Sequence, residues 1–173
     1  MSRAKPNRQT DKIVQKTKTV VLDIAKKYRV DVLSLILYGS RAKKNYSFDS
    51  DYDFFIILGN KTSLLQYTQF IAELRLKLGY TSSIKFYSNT LKNFKYLMRR
   101  NPFLGSFCYI VATEGIPLFD HNGTFVKIKK SLSRDEKVRF ANRCLIMSQK
   151  LGSPKWVSYW KEKLRELKKP LER

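Results

Sequence analysis

The sequence predicts a small mixed α/β domain, of the α+β kind, in which helices cover one mixed β-sheet. Two apolar runs rich in branched residues, Val32–Leu37 and Tyr52–Leu58, are each bounded by turn residues, as expected of buried strands. Segments with helical spacing of apolar residues precede, separate and follow these runs. The resulting order of helix, strand, turn, strand, helix, strand and further helices is typical of a sheet covered by helices.

Each remaining element has a local signal in the sequence. Residues 41–50 are polar and predict a loop after Tyr38-Gly39-Ser40, and residues 82–87 predict a third strand. The segment EGIPLFD, residues 114–120, predicts a turn with a short extended piece. Amphipathic spacing and flanking turn residues predict the helices, which are residues 10–28, 64–78, 90–100, 103–113, 133–151 and a last one from about residue 155.

The chain is expected to form one domain with an appendage. A length of 173 residues fits one domain better than two. We place the domain at residues 1–130, with residues 1–9 flexible because they are polar, and a basic helical C-terminal extension at residues 131–173. The last helix has Trp156 and Trp160 at i and i+4 among lysines. The two rings could stack on bases, but such a pair is more often a face that packs on the protein's own core.

Positive charge is the most informative feature of the composition. The chain has 35 Lys and Arg against 14 Asp and Glu, a formal net charge of +21. Residues 1–30 carry nine basic and two acidic residues, residues 121–173 carry fifteen and five, and the part between them carries eleven and seven. This imbalance favours a polyanionic partner, nucleic acid first, or a strongly negative substrate such as a nucleoside triphosphate. The alternative interpretation is a lysine-rich solvated surface.

Several protein classes are excluded by what the sequence lacks. No run of about 18 consecutive apolar residues is present, so no membrane span is expected. The first residues lack the apolar segment of a secretory signal, so we expect an intracellular, cytoplasmic protein. Cys108 and Cys144 are far apart and His121 is the one histidine, so neither a zinc site nor a structural disulfide is expected.

The stretch YGSRAKKNYSFDSDYD, residues 38–53, contains two carboxylates one residue apart. Asp51 and Asp53 point to the same side because side chains alternate along a strand. Two carboxylates so close repel each other unless a cation lies between them. Hard oxygen ligands of this kind suit Mg²⁺ or Mn²⁺, which completes its shell with water and phosphate oxygens. The pair therefore predicts a divalent-metal site.

The residues that precede the carboxylates predict a phosphate site. Gly39 allows backbone N–H groups to approach a phosphate closely, and the Ser40 hydroxyl adds a donor. Arg41, Lys43 and Lys44 follow directly and can neutralise the rest of a triphosphate. A phosphate site beside a metal site supplies the parts that two-metal nucleotidyl transfer requires.

The stretch LILYGSRAKKNYSFDSDYDFFII resembles the signature of the DNA polymerase β-like nucleotidyltransferase superfamily, and especially of its minimal nucleotidyltransferases (MNT). The shared pattern is an apolar strand, Gly-Ser-Arg-Ala, a polar loop, and Ser-Asp-x-Asp followed by apolar residues. The resemblance extends from about Ile13 to Asp120. It implies that residues 1–130 form the nucleotidyltransferase domain with the polymerase β-like fold.

The resemblance also implies roles for individual residues. Gly39 and Ser40 match the positions that hold the nucleotide phosphates, and Asp51 and Asp53 match the two catalytic, metal-binding carboxylates. It implies an enzyme that binds an NTP, ATP first, with Mg²⁺ or Mn²⁺. The nucleotide would be transferred to a hydroxyl of an RNA or DNA 3′-end, or of a protein side chain, with release of pyrophosphate. The basic charge favours nucleic acid as the acceptor.

The family's third carboxylate has no counterpart in the predicted third strand, TSSIKFYS. Depending on the alignment, its place falls on Ser83, Ile84 or Lys85, and the Lys85 cation could occupy the metal's place. Glu73 and Glu114 could substitute if the fold brings them close; otherwise they are a surface charge and a turn residue. The alternative hypothesis is a catalytically degenerate module of the same fold. It would bind nucleotide or nucleic acid and could act with a protein partner, in a complex of the toxin–antitoxin kind.

Overall fold

A four-stranded mixed sheet forms the centre of the protein. The computed structural model describes residues 8–44, 46–47, 50–78 and 83–169. Within them the strands lie in the order β3-β2-β1-β4, with β1 antiparallel to β2 and β4, and β2 parallel to β3. The predicted fold class, a mixed sheet covered by helices, is confirmed. The strands are β1 (Val32–Tyr38), β2 (Tyr52–Leu58), β3 (Ile84–Thr90) and β4 (Ile116–Asp120).

Eight α-helices surround the sheet in the described part of the chain. They are α1 (Arg8–Lys27), α2 (Gly39–Ala42), α3 (Leu64–Leu78), α4 (Leu91–Arg100), α5 (Gly105–Glu114), α6 (Thr124–Lys130), α7 (Arg134–Lys150) and α8 (Pro154–Lys168). The six helices predicted from periodicity are all present. Residues 1–7, most of the segment expected to be flexible, lie outside the described residues. No helix among the described residues is long and apolar enough to cross a membrane.

Two boundaries near the predicted site differ from the sequence prediction. Residues 39–42, predicted as turn and loop, form the short helix α2, because Gly39 at φ +76° turns the chain from β1 directly into a helical turn. The third strand begins at Ile84 and continues to Thr90, three residues beyond its predicted end. The reason is that the parallel ladder with β2 continues as far as the pairing of Leu58 with Thr90. The predicted first residue, Ser82, lies outside the described residues.

Helix α6 was not predicted, because its cap is not adjacent in sequence. The carboxylate of Asp120 accepts hydrogen bonds from the backbone N–H groups of Phe125 (2.7 Å) and Val126 (3.1 Å), and from the Ser34 hydroxyl (2.8 Å). These bonds join the end of β4 to the start of α6 across a short 3₁₀ helix, residues 121–123. The usual signal, a polar residue immediately before the helix, is replaced by Gly123 in the left-handed region.

Side-chain alternation divides the core into two layers, one on each side of the sheet. Leu35 and Phe54, both fully buried, pack with α1 and α3. Ile36 and Phe55 point to the other side and pack with α4 to α8. Asp53 has the same parity as Phe55 in β2, so its carboxylate lies on the side covered by α4 to α8.

The last helix contributes to this second layer through one of its two tryptophans. Trp160 is 1% exposed and lies 5.8 Å, between ring centroids, from Tyr109 of α5. Trp156 remains 44% exposed and contacts Tyr159. The prediction that the pair packs on the protein's own core is therefore right for Trp160 and wrong for Trp156. The domain boundary at residue 130 stays a prediction.

These two tryptophans give a matched test of how α8 contributes to stability. Trp160→Ala should lower the free energy of unfolding by about 3–5 kcal/mol, because it leaves a large cavity in the core. Trp156→Ala, on the same helix, should change it by less than about 1 kcal/mol. Urea unfolding of both variants measures the difference. Equal losses in the two variants would contradict the described packing of α8.

Candidate active site

Asp53 lies between two neighbouring strands at one end of the sheet. In β2 it is opposite Tyr38, the last residue of β1, and opposite Lys85, the second residue of β3. Asp51 immediately precedes β2 and points to the same side. Both carboxylates are partly exposed, so a ligand can reach them. The structure thus brings the two predicted carboxylates together at the end where β1 leaves the sheet.

The Gly39 turn lies directly against Asp53. A Cβ atom added at Gly39 would lie 2.6 Å from Asp53 Oδ2, closer than real Cβ contacts, and the positive φ at this position also favours glycine. Gly39 and Ser40 are themselves partly exposed. The predicted phosphate site and the predicted metal site are therefore adjacent in space as well as in sequence.

Lys85 is the residue that the fold brings to the two carboxylates from the third strand. Its Nζ lies 2.5 Å from Asp51 Oδ2. The hydrogen bond with Asp51, together with its charge, raises the pKa of Lys85. Of the three alignment candidates, Ser83 precedes β3 and Ile84 packs with the opposite core layer, whereas Lys85 lies on the side of Asp51 and Asp53. That Lys85 takes the place of the family's third carboxylate stays a prediction.

The oxygen donors at this end of the sheet fit one hard divalent cation. Burial raises the pKa of the Asp53 carboxyl, and the nearby Asp51 charge raises it further, as expected where a cation would relieve repulsion. Asp51 and Asp53 can supply carboxylate oxygens while a triphosphate supplies others. No group of three His, Cys, Asp or Glu side chains that could hold a metal occurs among the described residues.

The basic residues after Ser40 have different surroundings. Arg41 is buried, donates two hydrogen bonds to the Ser50 carbonyl (2.9 and 2.6 Å), and lies over the ring of Tyr52 at 3.7 Å. These contacts connect α2 to Ser50 and Tyr52 at the start of β2. Lys44 is exposed and has a positive φ of +57°. The phosphate-binding roles of Arg41 and Lys44 stay predictions, and the exposure of Lys44 suits such a role better than the burial of Arg41.

Glu73 lies away from the two carboxylates. It is on α3, on the opposite side of the sheet, where Lys27 Nζ (2.6 Å) and the Tyr28 hydroxyl (2.5 Å) donate to it. The hydrogen bond from Lys27 is the main reason that the pKa of Glu73 falls to about 2. Glu73 is therefore not a substitute for the missing carboxylate.

Glu114 is the last residue of α5 rather than a turn residue, and its side chain is only 8% exposed. Lys43 Nζ lies 2.8 Å from one carboxylate oxygen, and Lys163 Nζ and the Tyr159 hydroxyl each lie 2.8 Å from the other. Lys43 also lies over the Tyr159 ring. Glu114 therefore connects the loop after the Gly-Ser turn to helix α8, and its oxygens are already occupied by cations.

An aromatic wall next to the carboxylates was missed at the sequence level. The ring of Phe107 on α5 lies 5.1 Å from Tyr38 and 5.0 Å from Tyr87, measured between centroids. Tyr87 is 49% exposed. Burial and the charge of Asp53 raise the pKa of Tyr38, so its phenol stays protonated. Strand alternation could have identified Tyr87, because it lies two residues after Lys85 on the same side of β3.

Two comparisons with known proteins found a match. Residues 20–102 match the family model described as Polymerase beta, Nucleotidyltransferase, and this segment includes Gly39, Asp51, Asp53 and Lys85. Residues 20–102 are thus similar to this nucleotidyltransferase family, in agreement with the resemblance that the motif predicted. A crystal structure of a toxin–antitoxin with AMP-PNP is 12% identical, with a TM-score of 0.44 over 78% of this chain and 94% of that one. No curated protein matches the chain.

The Glu114 cluster gives a test of the contact between the loop and α8. Glu114→Gln should lower the free energy of unfolding by about 2–3 kcal/mol, because Lys163 and Lys43 lose the carboxylate between them. Half-exposure of Lys43 keeps the cost below that of a fully buried pair. Urea unfolding at neutral pH measures it. The matched control is Glu162→Gln, which removes an exposed carboxylate of α8 and should change stability by about 0.5 kcal/mol or less.

The same variant has a defined pH dependence. Burial alone would raise the pKa of Glu114, but hydrogen bonds from Lys163, Lys43 and Tyr159 outweigh it and bring the pKa below the ordinary 4.5. A carboxyl whose pKa is lower in the folded protein than in the unfolded chain stabilises the fold at pH values above the unfolded-chain pKa. This stabilisation is lost as the pH falls through the pKa of the folded protein. The difference between wild type and Glu114→Gln should therefore shrink below 4.5. A difference that stays constant with pH would contradict the ion cluster.

Proposed function

We propose that the chain is a nucleotidyltransferase that binds an NTP, ATP first, with Mg²⁺ and transfers the nucleotide to a hydroxyl of a macromolecular acceptor. The observation that carries this proposal is the contact of the Gly39 turn with Asp53, beside Asp51. A phosphate site and a carboxylate pair in contact are the two parts that the reaction needs. The family match over residues 20–102 supports the same reaction class.

In the proposed reaction, the acceptor oxygen forms a bond to the α-phosphorus. The bond from that phosphorus to the oxygen of the leaving pyrophosphate breaks, and the acceptor proton passes to solvent. Gly39 and Ser40 orient the phosphates, and Asp51 and Asp53 hold the cation. The cation, when bound, neutralises charge on the phosphates. Lys85 adds a second positive charge beside Asp51.

Nucleic acid is the acceptor that the composition favours, with a 3′-hydroxyl of RNA or DNA as the reacting group. The formal net charge of +21 supports a polyanionic partner. A protein side-chain hydroxyl is the other acceptor consistent with the chemistry. The two acceptors differ in a simple test, because the labelled product is sensitive to nuclease in one case and to protease in the other.

A second candidate function has one observation in its favour. Within the described residues, Lys85 rather than a carboxylate lies beside Asp51 and Asp53. A site of this kind could bind nucleotide or nucleic acid without transferring it, alone or in a complex with a protein partner. Intact Asp51 and Asp53 beside Gly39 favour the active enzyme over this candidate.

Transfer of label from an NTP tests the proposed function. The protein is incubated with NTPs labelled at the α-phosphate, Mg²⁺ or Mn²⁺, and total RNA or cell extract. We expect label in macromolecules with wild type and none with Asp51→Asn combined with Asp53→Asn. The double variant should remain folded, because removal of two repelling carboxylates relieves strain without a cation. Metal-dependent NTP binding that persists in the folded double variant would contradict the site assignment.

Lys85→Asp tests whether the missing carboxylate limits the rate. The new carboxylate should add a ligand beside Asp53 and increase the number of bound Mn²⁺ ions. It should also speed transfer, by at most roughly 10²–10⁴-fold, which is the usual contribution of general-base assistance. Bound Mn²⁺ and pyrophosphate release measure these two effects. Ser83→Asp and Ile84→Asp are register controls and should do neither. If wild type already binds two ions and Lys85→Asp changes nothing, the third ligand comes from elsewhere in the chain or from a partner.

A further inference from the structure

A second charged site lies on the far side of α5 from the carboxylates. A cavity of about 420 Å³ opens between the end of α4, α5 and α7, and four of its lining side chains are arginines. We call this cavity the arginine pocket; its arginines are Arg99, Arg100, Arg139 and Arg143. All four are exposed to solvent. The volume is in the range of pockets that hold a small ligand or one unit of a larger one.

Helix α5 separates the arginine pocket from the candidate active site. Phe107 contacts Tyr38 and Tyr87 beside the carboxylates, whereas Tyr109 lines the arginine pocket. Residues two apart point to nearly opposite sides of a helix, so the two sites lie about one helix diameter apart, roughly 10 Å. Phe140 stacks on Tyr109 at 4.8 Å and gives the pocket a buried apolar floor.

Ion pairs with the described residues do not neutralise the arginines of the pocket. No guanidinium of the pocket lies within ion-pair distance of a carboxylate among the residues described. Glu136 is the one acidic side chain that lines it, and this carboxylate accepts the N–H of Ser133 in the capping box of α7. A cavity with four cations and one engaged anion is suited to a strongly negative ligand.

Two of the arginines are held in place by contacts with the fold. Arg143 donates to the carbonyl of Arg100 (2.7 Å), and Arg99 donates to the Ser131 hydroxyl (3.2 Å). Arg100 and Arg139 make no side-chain hydrogen bond with the described residues. Guanidinium groups bind phosphate oxygens through paired hydrogen bonds, so an arrangement of fixed and available arginines suits phosphate.

The basic surface continues from the pocket along α4. Lys92, Lys95 and Arg99 recur at spacings of three and four residues and are all exposed, and α4 contains no acidic residue. Tyr96, between them in sequence, is 61% exposed. Cations in a row with an exposed aromatic ring are the features by which proteins bind single strands, through phosphates and stacked bases. A single small anion would use only the pocket.

We propose that the arginine pocket and the exposed surface of α4 bind the phosphate backbone of a single-stranded polynucleotide. This inference rests on the proposed function, because it takes the bound strand to be the acceptor of the transferred nucleotide. The strand is held on the opposite side of α5 from Asp53, with its phosphates on Arg100 and Arg139 and a base on Tyr96. Binding of the strand needs neither NTP nor metal, so it can be tested apart from transfer.

Fluorescence anisotropy with a labelled single-stranded RNA of about 12 nucleotides tests this inference without NTP or metal. Arg100→Gln combined with Arg139→Gln removes two phosphate contacts. The slope of log affinity against log salt should fall by about 1.4, which corresponds to a loss of about 25-fold at roughly 0.1 M salt. The matched control is Lys12→Gln combined with Lys16→Gln, which removes the same charge from exposed positions of α1 on the other side of the sheet. The control should lose less than about twofold.

Competition by other anions and the control variant show whether the pocket is specific for a polynucleotide. Equal losses in the two double variants, both with unchanged melting temperatures, would mean that net charge alone binds RNA, and the inference would fail. It would also fail if inorganic phosphate or AMP displaced the RNA at concentrations matched in phosphate, since the pocket would then bind small anions. Displacement by polyglutamate of equal charge would point to an acidic protein partner instead. Absence of RNA binding by the wild type, with label transfer to protein intact, would overturn only the polynucleotide inference. RNA binding by the wild type without any transfer would overturn only the proposed activity.

Discussion

The parallel pairing of β3 with β2 is the constraint on which the candidate site depends. This ladder places Lys85 opposite Asp53 and within 2.5 Å of Asp51, while the antiparallel pairing of β1 brings Tyr38 and the Gly39 turn to the other side of Asp53. A one-residue slip of β3 would turn Lys85 into the apolar layer and bring Ile84 to the carboxylates. The apolar side chains of the strand prevent this slip, so core packing fixes the electrostatics of the site.

Positive charge serves two structural purposes near the site before any ligand is bound. Arg41 of α2 donates to the Ser50 carbonyl ahead of β2, and Lys43 at the end of α2 joins this segment to Glu114 and hence to α8. Lys85 compensates Asp51, which repels Asp53. The arginine pocket and α4 carry further cations that make no ion pair with the described residues, and this surface lies away from the carboxylates.

The strands on either side of the motif could be predicted because their signals are local, whereas the short helix α2 between them was predicted as turn and loop. The branched runs of β1 and β2, and the Gly-Ser and Asp-x-Asp residues between them, are contiguous in sequence. The α6 helix could not be predicted, because its cap is Asp120, the last residue of β4, which is separated from α6 by the 3₁₀ helix of residues 121–123. The surroundings of Glu114 could not be predicted from the sequence either, because its partners Lys43 and Lys163 are far apart in sequence and meet only in the fold. The arginine pocket could not be predicted for the same reason, because its arginines come from α4 and α7, which are distant in sequence.

The central claim is that Asp51 and Asp53 hold one cation with the nucleotide while Lys85 takes the place of a further carboxylate. A crystal structure with a non-hydrolysable ATP analogue and Mn²⁺ tests it directly, because anomalous scattering counts and locates the manganese. The account predicts one manganese site, between Asp51, Asp53 and the phosphates, with the Lys85 amine beside it and the phosphates against Gly39 and Ser40. Two manganese sites with Lys85 turned away, or a nucleotide bound elsewhere, would contradict it.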